Sequence, residues 1–210
     1  MKQLYIIRHG ETELNRLGIV QGKGIDAPLN ENGRAQAEAF FNHYKEVKFD
    51  KIYTSSLIRT QQTVKEFINI GIPYEQLANL DEMGWGAWEG KPNSAESRAA
   101  FDALTLQWQE GNLDAKFEGG ESPNEIASRI KAGIAHILNR QHEKQVLICI
   151  HGRALRVLMC LMLNKSLLEM VSFTHSNTTL YRLGIGENHK ITLLERDNTE
   201  HLTLIDIEKD

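Results

Sequence analysis

Five short apolar segments along the chain have the pattern of β-strands. Residues 4–7 and 146–150 are unbroken apolar runs rich in strand-forming residues, and such runs are typical of strands buried on both faces of a sheet. Residues 51–54 predict another short strand, and residues 178–183 and 191–195 predict two closing strands. The chain is therefore expected to build its core on a β-sheet.

Apolar residues at helical spacing occupy the intervals between most of these strands. The pattern predicts helices in residues 32–47, 60–68, 126–138 and 152–162. Asn30 is a suitable N-cap for the first of them. Strands that alternate with helices indicate βαβ units. We therefore predict a doubly wound α/β fold of three layers, with a mainly parallel sheet and helices on both faces.

Residues 83–117 interrupt this alternation. The segment has several glycines, one amphipathic helix through Phe101 and Leu104, and three tryptophans, Trp85, Trp88 and Trp108. We interpret it as an insertion beside the main sheet. A lid over a site and a local packing cluster both fit this composition.

Length and charge limit the range of functions. With 210 residues, 41% of them hydrophobic and 25% charged, the chain is expected to form one globular domain, residues 1–210. A net charge of −4 and a pI near 6.1 favour neither a nucleic acid nor an anionic membrane as partner. Any anionic ligand must therefore be bound by a local basic cluster.

The cysteines and the N-terminus indicate the compartment. Cys149 and Cys160 lack a paired CxxC spacing, which favours reduced thiols in a cytoplasmic protein. Only four apolar residues follow the first three residues, so neither a signal sequence nor a membrane span is expected. A homo-oligomer remains possible.

Two of the predicted strands end directly in a histidine followed by a glycine. Residues 4–7 lead into Arg8-His9-Gly10, and residues 146–150 lead into His151-Gly152. Ligands of open parallel sheets bind beyond the carboxyl ends of the strands, so His9 and His151 share a crevice if their strands are neighbours. Glycine lets the backbone approach a bound group closely. A single such histidine is more simply a turn residue, but two of them indicate a site.

Arg59 follows the strand of residues 51–54 and lies at the first turn of the predicted helix that comes next, directly before the helical spacing begins at Thr60. The amide groups and dipole of that turn favour an anion, so an arginine there is electrostatically unfavourable for the helix alone. A solvated surface arginine is one interpretation. The alternative is that Arg8 and Arg59 clamp phosphate oxygens.

Taken in order, these motifs resemble those of the histidine phosphatase superfamily, also called phosphoglycerate mutase-like. The motifs are Arg8-His9-Gly10-Glu11-Thr12 with Asn15, Gln21-Gly22, Asp26-Ala27-Pro28-Leu29, Gly33 with Gln36-Ala37, Ser55-Ser56 with Arg59-Thr60 and Gln62-Thr63, Leu80-Asp81-Glu82 with Gly86, Trp88-Glu89-Gly90, Gly119-Gly120-Glu121-Ser122, and His151-Gly152. They extend from residue 4 to residue 152, and their shared order makes the resemblance specific.

The resemblance implies a phosphomonoester hydrolase that acts on a small phosphorylated metabolite without a metal or other cofactor. It makes His9 the nucleophile and Glu82 the general acid and then the general base. It implies that the transferring phosphoryl group is held by Arg8, Arg59 and His151. The remaining candidate contacts to phosphate or substrate are Asn15, Gln21, Gly22 and Gly152.

The chemistry of these residues agrees with that assignment. Phosphoryl transfer depends chiefly on positioning and on neutralising charge, which two arginines and His151 can supply without Mg²⁺. A neutral imidazole at His9 is a competent nucleophile if its other nitrogen is hydrogen-bonded to an acceptor. Glu82 precedes an apolar stretch that favours the protonated acid. Asp81 is the competing candidate, although it points the opposite way if the segment is extended.

The other histidines lack the spacing of metal ligands, and we expect them at the surface or in hydrogen bonds. These residues are His43, His136, His142, His175, His189 and His201. His175, followed by Ser176 and Asn177, precedes a predicted strand and is the one expected to approach the pocket.

Three alternative functions are compatible with parts of the sequence. A phosphoglycerate mutase would use the same residues, but Glu13 occupies the place of that branch's usual aromatic residue, and the chain is shorter. The acidic segment 197–210 is also expected to be a poor cover for a phosphate pocket. A catalytically silent phospho-ligand protein would require neither a nucleophile nor an acid. A dinucleotide enzyme would carry GxGxxG after the first strand, which is absent from the sequence.

Overall fold

A six-stranded sheet forms the centre of the protein in a computed structural model, which describes residues 1–186, 188 and 190–203. The strands are β1 (Lys2–Arg8), β2 (Lys51–Thr54), β3 (Tyr74–Gln76), β4 (Gln145–Ile150), β5 (Leu180–Ile185) and β6 (Ile191–Asn198). Their order is β3-β2-β4-β1-β5-β6. The first four are parallel, whereas β5 and β6 pair antiparallel at one side. The predicted mainly parallel sheet is confirmed.

Helices cover both faces of this sheet. They are α1 (Glu13–Arg16), α2 (Glu31–Tyr44), α3 (Ile58–Thr63), α4 (Lys65–Asn69), α5 (Ala95–Gln109), α6 (Pro123–Leu138) and α7 (Gly152–Met162). Alternate residues of β1 pack on opposite sides: Leu4 and Ile6 join the core under α6 and α7, and Tyr5 and Ile7 join the core under α2 and α4. This alternation produces the three predicted layers.

Some element boundaries differ from the predicted ones for local reasons. The edge strand β3 escaped prediction because its three residues are polar or partly exposed. The predicted helix 60–68 is two helices, α3 and α4, separated by Val64 with φ −108° and ψ 13°. The strand predicted over residues 178–183 is β5, which begins at Leu180; Thr178 has a positive φ of 55°, outside the range of extended strands. The N-cap prediction is confirmed, since the Asn30 side chain accepts a hydrogen bond from Gly33 N at 2.8 Å.

The segment 83–117 contributes aromatic side chains to the core. Trp85, Leu104 and Trp108 are buried in the same cluster as α6 and α7, and Trp88 stacks on Phe117 with ring centroids 4.5 Å apart. These contacts agree with the interpretation of this segment as a local packing cluster. Closure of the segment as a lid stays a prediction.

Further sequence predictions concern His189 and the C-terminal segment, the two cysteines, and the possibility of a membrane-spanning helix. His189 and most of the acidic segment, residues 204–210, lie outside the described residues. Cys149 and Cys160 are buried free thiols. Within the described ranges, every helix is too short or too polar to cross a bilayer.

Two glycines bring the loop after β1 against the start of α2. A Cβ placed on Gly33 would lie 2.0 Å from the backbone oxygen of Glu11, and one on Gly10 would lie 2.5 Å from the oxygen of Gly33. The two backbones therefore touch directly. This contact positions the loop that follows His9.

We expect Gly33→Ala to destabilise the protein although it improves the helix propensity of α2. Propensity favours alanine by about 1 kcal/mol, but an overpacked contact against rigid backbone costs about 1–3 kcal/mol or more. The net result should be a loss of about 2 kcal/mol in the free energy of unfolding, measured by urea denaturation. The exposed Glu38→Ala on the same helix is the control and should change stability by less than about 0.5 kcal/mol. An unchanged or raised stability of Gly33→Ala would contradict the close contact.

Candidate active site

The two histidines that end parallel strands lie next to each other. β1 and β4 are neighbours, with Arg8 opposite Ile150 in the register. The rings of His9 and His151 are 5.1 Å apart between centroids, and both residues are buried. The crevice predicted from the strand ends therefore contains both imidazoles.

His9 has a defined tautomer. Its Nδ1 lies 2.7 Å from the backbone oxygen of Gly10, so Nδ1 carries the proton and donates it. The lone pair is left on Nε2. Burial, followed by the charges of Arg8 and Arg59, holds the pKa of His9 well below its usual range, because each opposes a further positive charge. His9 is therefore a neutral imidazole with one free lone pair.

His151 is the N-cap residue of α7 and is hydrogen-bonded on both ring nitrogens. Its Nδ1 accepts from Arg59 Nε at 3.1 Å, so Nε2 carries the proton and donates it to Ser55 Oγ at 2.8 Å. Burial, then the charge of Arg59, lowers the pKa of His151 well below its usual value. His151 is thus neutral, and its proton is directed at Ser55 in this structure.

Arg59 is completely buried, and each of its three guanidinium nitrogens donates one hydrogen bond to the protein. Besides the bond to His151, Nη1 donates to the oxygen of Ile25 at 2.8 Å and Nη2 to the oxygen of Gly22 at 3.2 Å. Arg59 therefore holds His151 and the loop of residues 22–25 in place. Its positive charge lies behind the histidines.

Arg8 faces the cavity and is less completely satisfied. Nη1 donates to the backbone oxygen of His175, whereas Nε is buried without a hydrogen-bond acceptor among the described residues. Burial lowers the pKa of Arg8 to about 10, and the charge of Glu82 opposes that shift. Arg8 stays a cation at neutral pH and has donor capacity left for an anion.

Glu82 and Asp81 point in opposite directions, as expected for an extended segment. Glu82 Oε1 accepts from Met83 N at 2.8 Å and from Ala154 N at 3.0 Å, and Oε2 accepts from Arg153 N at 3.1 Å. Asp81 instead accepts from Ser56 N and Oγ, both at 2.8 Å. The setting of Glu82 is therefore more polar than the sequence indicated, because the first turn of α7 supplies two N–H donors.

A cavity of about 310 Å³ opens at this edge of the sheet. Six of the nine predicted site residues line it: Arg8, His9, Asn15, Gln21, Glu82 and Gly152. The other three, Gly22, Arg59 and His151, do not line it, although His151 lies against His9 and Arg59 against His151. Gly22 packs tightly, since a Cβ would meet Glu89 Oε1 at 2.2 Å.

Asn15 and Gln21 are joined through the N-cap of α1. Thr12 Oγ1 accepts from Asn15 N at 3.2 Å and from Gln21 Nε2 at 2.6 Å. Asn177 Nδ2 donates to the backbone oxygen of His9 at 3.1 Å and to Asn15 Oδ1 at 3.3 Å. These bonds fix the side of the cavity next to His9.

Arg153 lines the cavity and was missed by the sequence analysis. It is buried, and its guanidinium lies over the rings of Trp85, Phe101 and Trp108 at 5.7, 5.8 and 5.2 Å from their centroids. A signal was available: Arg153, like Arg59, is a cation in the first turn of a helix that follows a strand end. The same electrostatic argument would have found it.

His175 also lines the cavity, as its position before β5 indicated. Burial, then the charges of Arg8 and Arg156, lower its pKa to about 3.

Among the described residues, no group of three or more His, Cys, Asp or Glu side chains is placed to hold a metal ion.

The low pKa of His175 predicts a loss of stability on acidification. Because the folded pKa is about 3 and the ordinary value is 6.5, the unfolded chain binds more protons between these limits. Stability therefore falls as pH decreases below about 6.5, by about 1.4 kcal/mol per unit for this group. Between pH 7 and 5, His175→Gln should lose about 2 kcal/mol less than the wild type, measured by urea denaturation without phosphate.

The control for this measurement is His142→Gln, at an exposed position, whose stability should follow the wild type across the same pH range. Equal slopes for His175→Gln and the wild type would show that folding does not lower the pKa of His175 and would contradict the prediction.

Known proteins similar to this chain share its whole length or a part of it. The sequence profile of the histidine phosphatase superfamily (branch 1) matches residues 4–198. Phosphoserine phosphatase 1 of Hydrogenobacter thermophilus is 27% identical over 205 residues, which cover 96% of this chain and 95% of that protein. Fructose-2,6-bisphosphatase TIGAR of Bos taurus is 41% identical over 107 residues, 48% of this chain and 38% of TIGAR. The chain therefore spans well under two thirds of that relative.

A solved structure and further relatives extend the comparison. Bacillus stearothermophilus YhfR has a TM-score of 0.83 and 28% identity, covering 96% of this chain and 100% of that one. Proteins named as probable phosphoglycerate mutases also match. The similarity thus reaches both hydrolases and mutases.

Proposed function

Because this chain belongs to the histidine phosphatase superfamily (branch 1), we propose that it hydrolyses phosphomonoesters of small metabolites through a phosphohistidine at His9. The observation that carries the proposal is the state of His9, a neutral imidazole with Nδ1 bound to Gly10 and a lone pair on Nε2. It shares one cavity with a cation, Arg8, and a carboxyl group, Glu82. A nucleophile, an anion binder and a proton donor are the parts that the reaction requires.

In the first step, Nε2 of His9 attacks phosphorus while the bond to the ester oxygen breaks. In this proposal Glu82 carries a proton when the ester is bound; it gives that proton to the departing alkoxide, and the alcohol leaves. Oε2 of Glu82 accepts one hydrogen bond whereas Oε1 accepts two, so Oε2 has the free lone pair for this proton. In the second step, Glu82 takes a proton from water, which attacks the phosphohistidine and releases inorganic phosphate.

The charges around His9 support the developing negative charge of the phosphoryl group. Arg8 has unused donor capacity at the cavity, and Arg59 adds a positive charge from behind. Direct contact of Arg59 and His151 with phosphoryl oxygens is part of the proposal. It requires the Nε2–H of His151 to exchange Ser55 for a phosphoryl oxygen. No step needs a metal ion, since the two guanidinium groups neutralise the charge.

The substrate class and the location follow from the same features. A cavity of about 310 Å³ suits a small metabolite. The relative that matches nearly the whole chain is named for phosphoserine, and the one that matches about half of it is named for fructose 2,6-bisphosphate. Buried free thiols support the cytoplasm as the location. The alternative is a phosphoglycerate mutase, which would return the phosphate to a substrate hydroxyl from the same phosphohistidine.

The proposal predicts that His9→Ala loses turnover and labelling together. In the presence of EDTA, the wild type should release inorganic phosphate from phosphomonoesters and carry acid-labile, alkali-stable phosphate after brief exposure to substrate. Loss of the nucleophile should lower the rate by at least about 1,000-fold and abolish the label. The exposed His142→Gln serves as the matched histidine control and should keep both.

Each alternative gives a different result in this experiment. Full activity of His9→Ala would place the nucleophile elsewhere, and a strict requirement for Mg²⁺ would contradict metal independence. Interconversion of 2- and 3-phosphoglycerate that depends on 2,3-bisphosphoglycerate and exceeds phosphate release would establish the mutase. Binding of phosphate without any turnover would establish a silent phospho-ligand protein.

Glu82 can be tested as the acid through the leaving group. Glu82→Gln should lower kcat for glycerol 3-phosphate by about 100- to 10,000-fold, because an alkoxide needs a proton to leave. The loss for p-nitrophenyl phosphate should be much smaller in a single-turnover measurement of the first step, since p-nitrophenolate leaves unprotonated. Asp81→Asn is the neighbouring control and should keep the wild-type ratio of the two rates. Equal losses on both esters in Glu82→Gln would contradict the assignment.

A further inference from the structure

Arg153 is a buried cation whose hydrogen-bond donors are unused. A guanidinium carries five N–H donors, yet the Arg153 side chain forms no hydrogen bond or ion pair with any described residue, and its Nη1 is buried. The side chain is only 7% exposed. Burial of an unpaired charge is strongly unfavourable, and the unused N–H donors of Arg153 can therefore bind an anionic group of a substrate.

The aromatic residues around Arg153 position it without satisfying it. Trp85, Phe101 and Trp108 present their faces to the guanidinium. Cation–π contacts recover part of the lost hydration, but they leave the in-plane N–H groups free. The neighbouring Arg156 differs, since its Nε donates to the backbone oxygen of Phe173 at 2.8 Å. Arg153 is thus held in a fixed position with its donors available.

The position of Arg153 is on the leaving-group side of the cavity. Its backbone N–H donates to Glu82 Oε2, the carboxyl group that protonates the ester oxygen in the proposed function. The substituent carried by that oxygen must therefore lie near Glu82 and Arg153. Arg8 and His9 line the same cavity and face the phosphoryl group in the proposed function. The cavity thus offers one cation to the phosphoryl group and a second to the rest of the substrate.

We propose that Arg153 binds a carboxylate of the substrate, so that the enzyme selects small phosphomonoesters whose leaving alcohol is a carboxylic acid. This inference rests on the proposed function. A carboxylate matches the planar fork of a guanidinium, and its single charge matches one arginine. A second phosphate group would bring a further dianion, whereas the Arg153 guanidinium offers it a single positive charge. Burial lowers the pKa of Arg153 to about 10, which leaves it charged at neutral pH.

The test compares pairs of esters in which the carboxylate of one member is replaced by an uncharged group in the other. The pairs are 3-phosphoglycerate with glycerol 3-phosphate, and phosphoserine with phosphoethanolamine. The wild type should favour the carboxylated member of each pair by at least about 10-fold in kcat/KM, since an interaction with a charged partner supports about 10- to 100-fold discrimination. Arg153→Met, which keeps the apolar packing, should lower this ratio by about 10- to 100-fold.

Two further variants keep the result interpretable. Arg153→Lys retains the charge but loses the fork, and its ratio should lie between those of the wild type and Arg153→Met. Calorimetry of the binding of the same esters to His9→Ala measures the preference for the carboxylated ester without turnover. A subsite at Arg153 should give tighter binding of 3-phosphoglycerate than of glycerol 3-phosphate in that variant. The melting temperatures of all variants report whether they fold.

The outcomes separate this inference from the proposed function. Hydrolysis of both members of each pair at equal kcat/KM would overturn the carboxylate subsite and leave the phosphatase standing. Absence of turnover with a retained binding preference would overturn the phosphatase and support the subsite. An equal loss on every ester in Arg153→Met, p-nitrophenyl phosphate included, would assign Arg153 to the phosphoryl group and overturn the inference. A preference for bisphosphates over monophosphates that is lost in Arg153→Met would also overturn the inference.

Discussion

The site depends on the burial of one imidazole beside guanidinium groups. His9 is almost fully removed from water, and the charges of Arg8 and Arg59 oppose its protonation, so its pKa lies well below the usual range. The ring therefore stays neutral, and its Nδ1 is bound to Gly10 O. The backbone of Gly10 is held in turn, because its N–H donates to Thr63 Oγ1 at 2.9 Å. Protonation state, tautomer and position thus arise from burial and backbone contacts rather than from a carboxylate partner.

The arginines at this edge of the sheet differ in how far the protein satisfies them. Arg59 donates to His151 and to two backbone oxygens and so builds the wall behind the histidines. Arg8 retains a buried Nε without an acceptor among the described residues, and Arg153 makes no side-chain hydrogen bond to any of them. Donors that the protein leaves unused are the ones available to an anionic ligand. A chain with a net charge of −4 therefore concentrates positive charge where a phosphate is expected.

The first turn of α7 links Glu82 to the segment 83–117. Its N–H groups hold the carboxylate of Glu82, and Glu82 leads directly into residues 83–117. Aromatic side chains of that segment return to cover Arg153 on the same turn. The position of the acid and the position of the second cavity arginine are therefore coupled through one short helix end. The segment 83–117 is a structural part of the site, since its Trp85 and Phe101 line the cavity.

The sequence by itself determined the α/β architecture and placed His9 and His151 at one edge of the sheet, because periodicity and strand ends are local properties of the chain. Ordered motifs then identified the family. Which arginine faces the cavity was decided only by the tertiary structure. Arg59 and Arg153 have the same local setting, a cation in the first turn of a helix after a strand. Their long side chains take direction from distant segments, the oxygens of Gly22 and Ile25 for Arg59 and the rings of residues 85–108 for Arg153. The polar setting of Glu82 has the same origin, since its N–H donors come from a helix some seventy residues away.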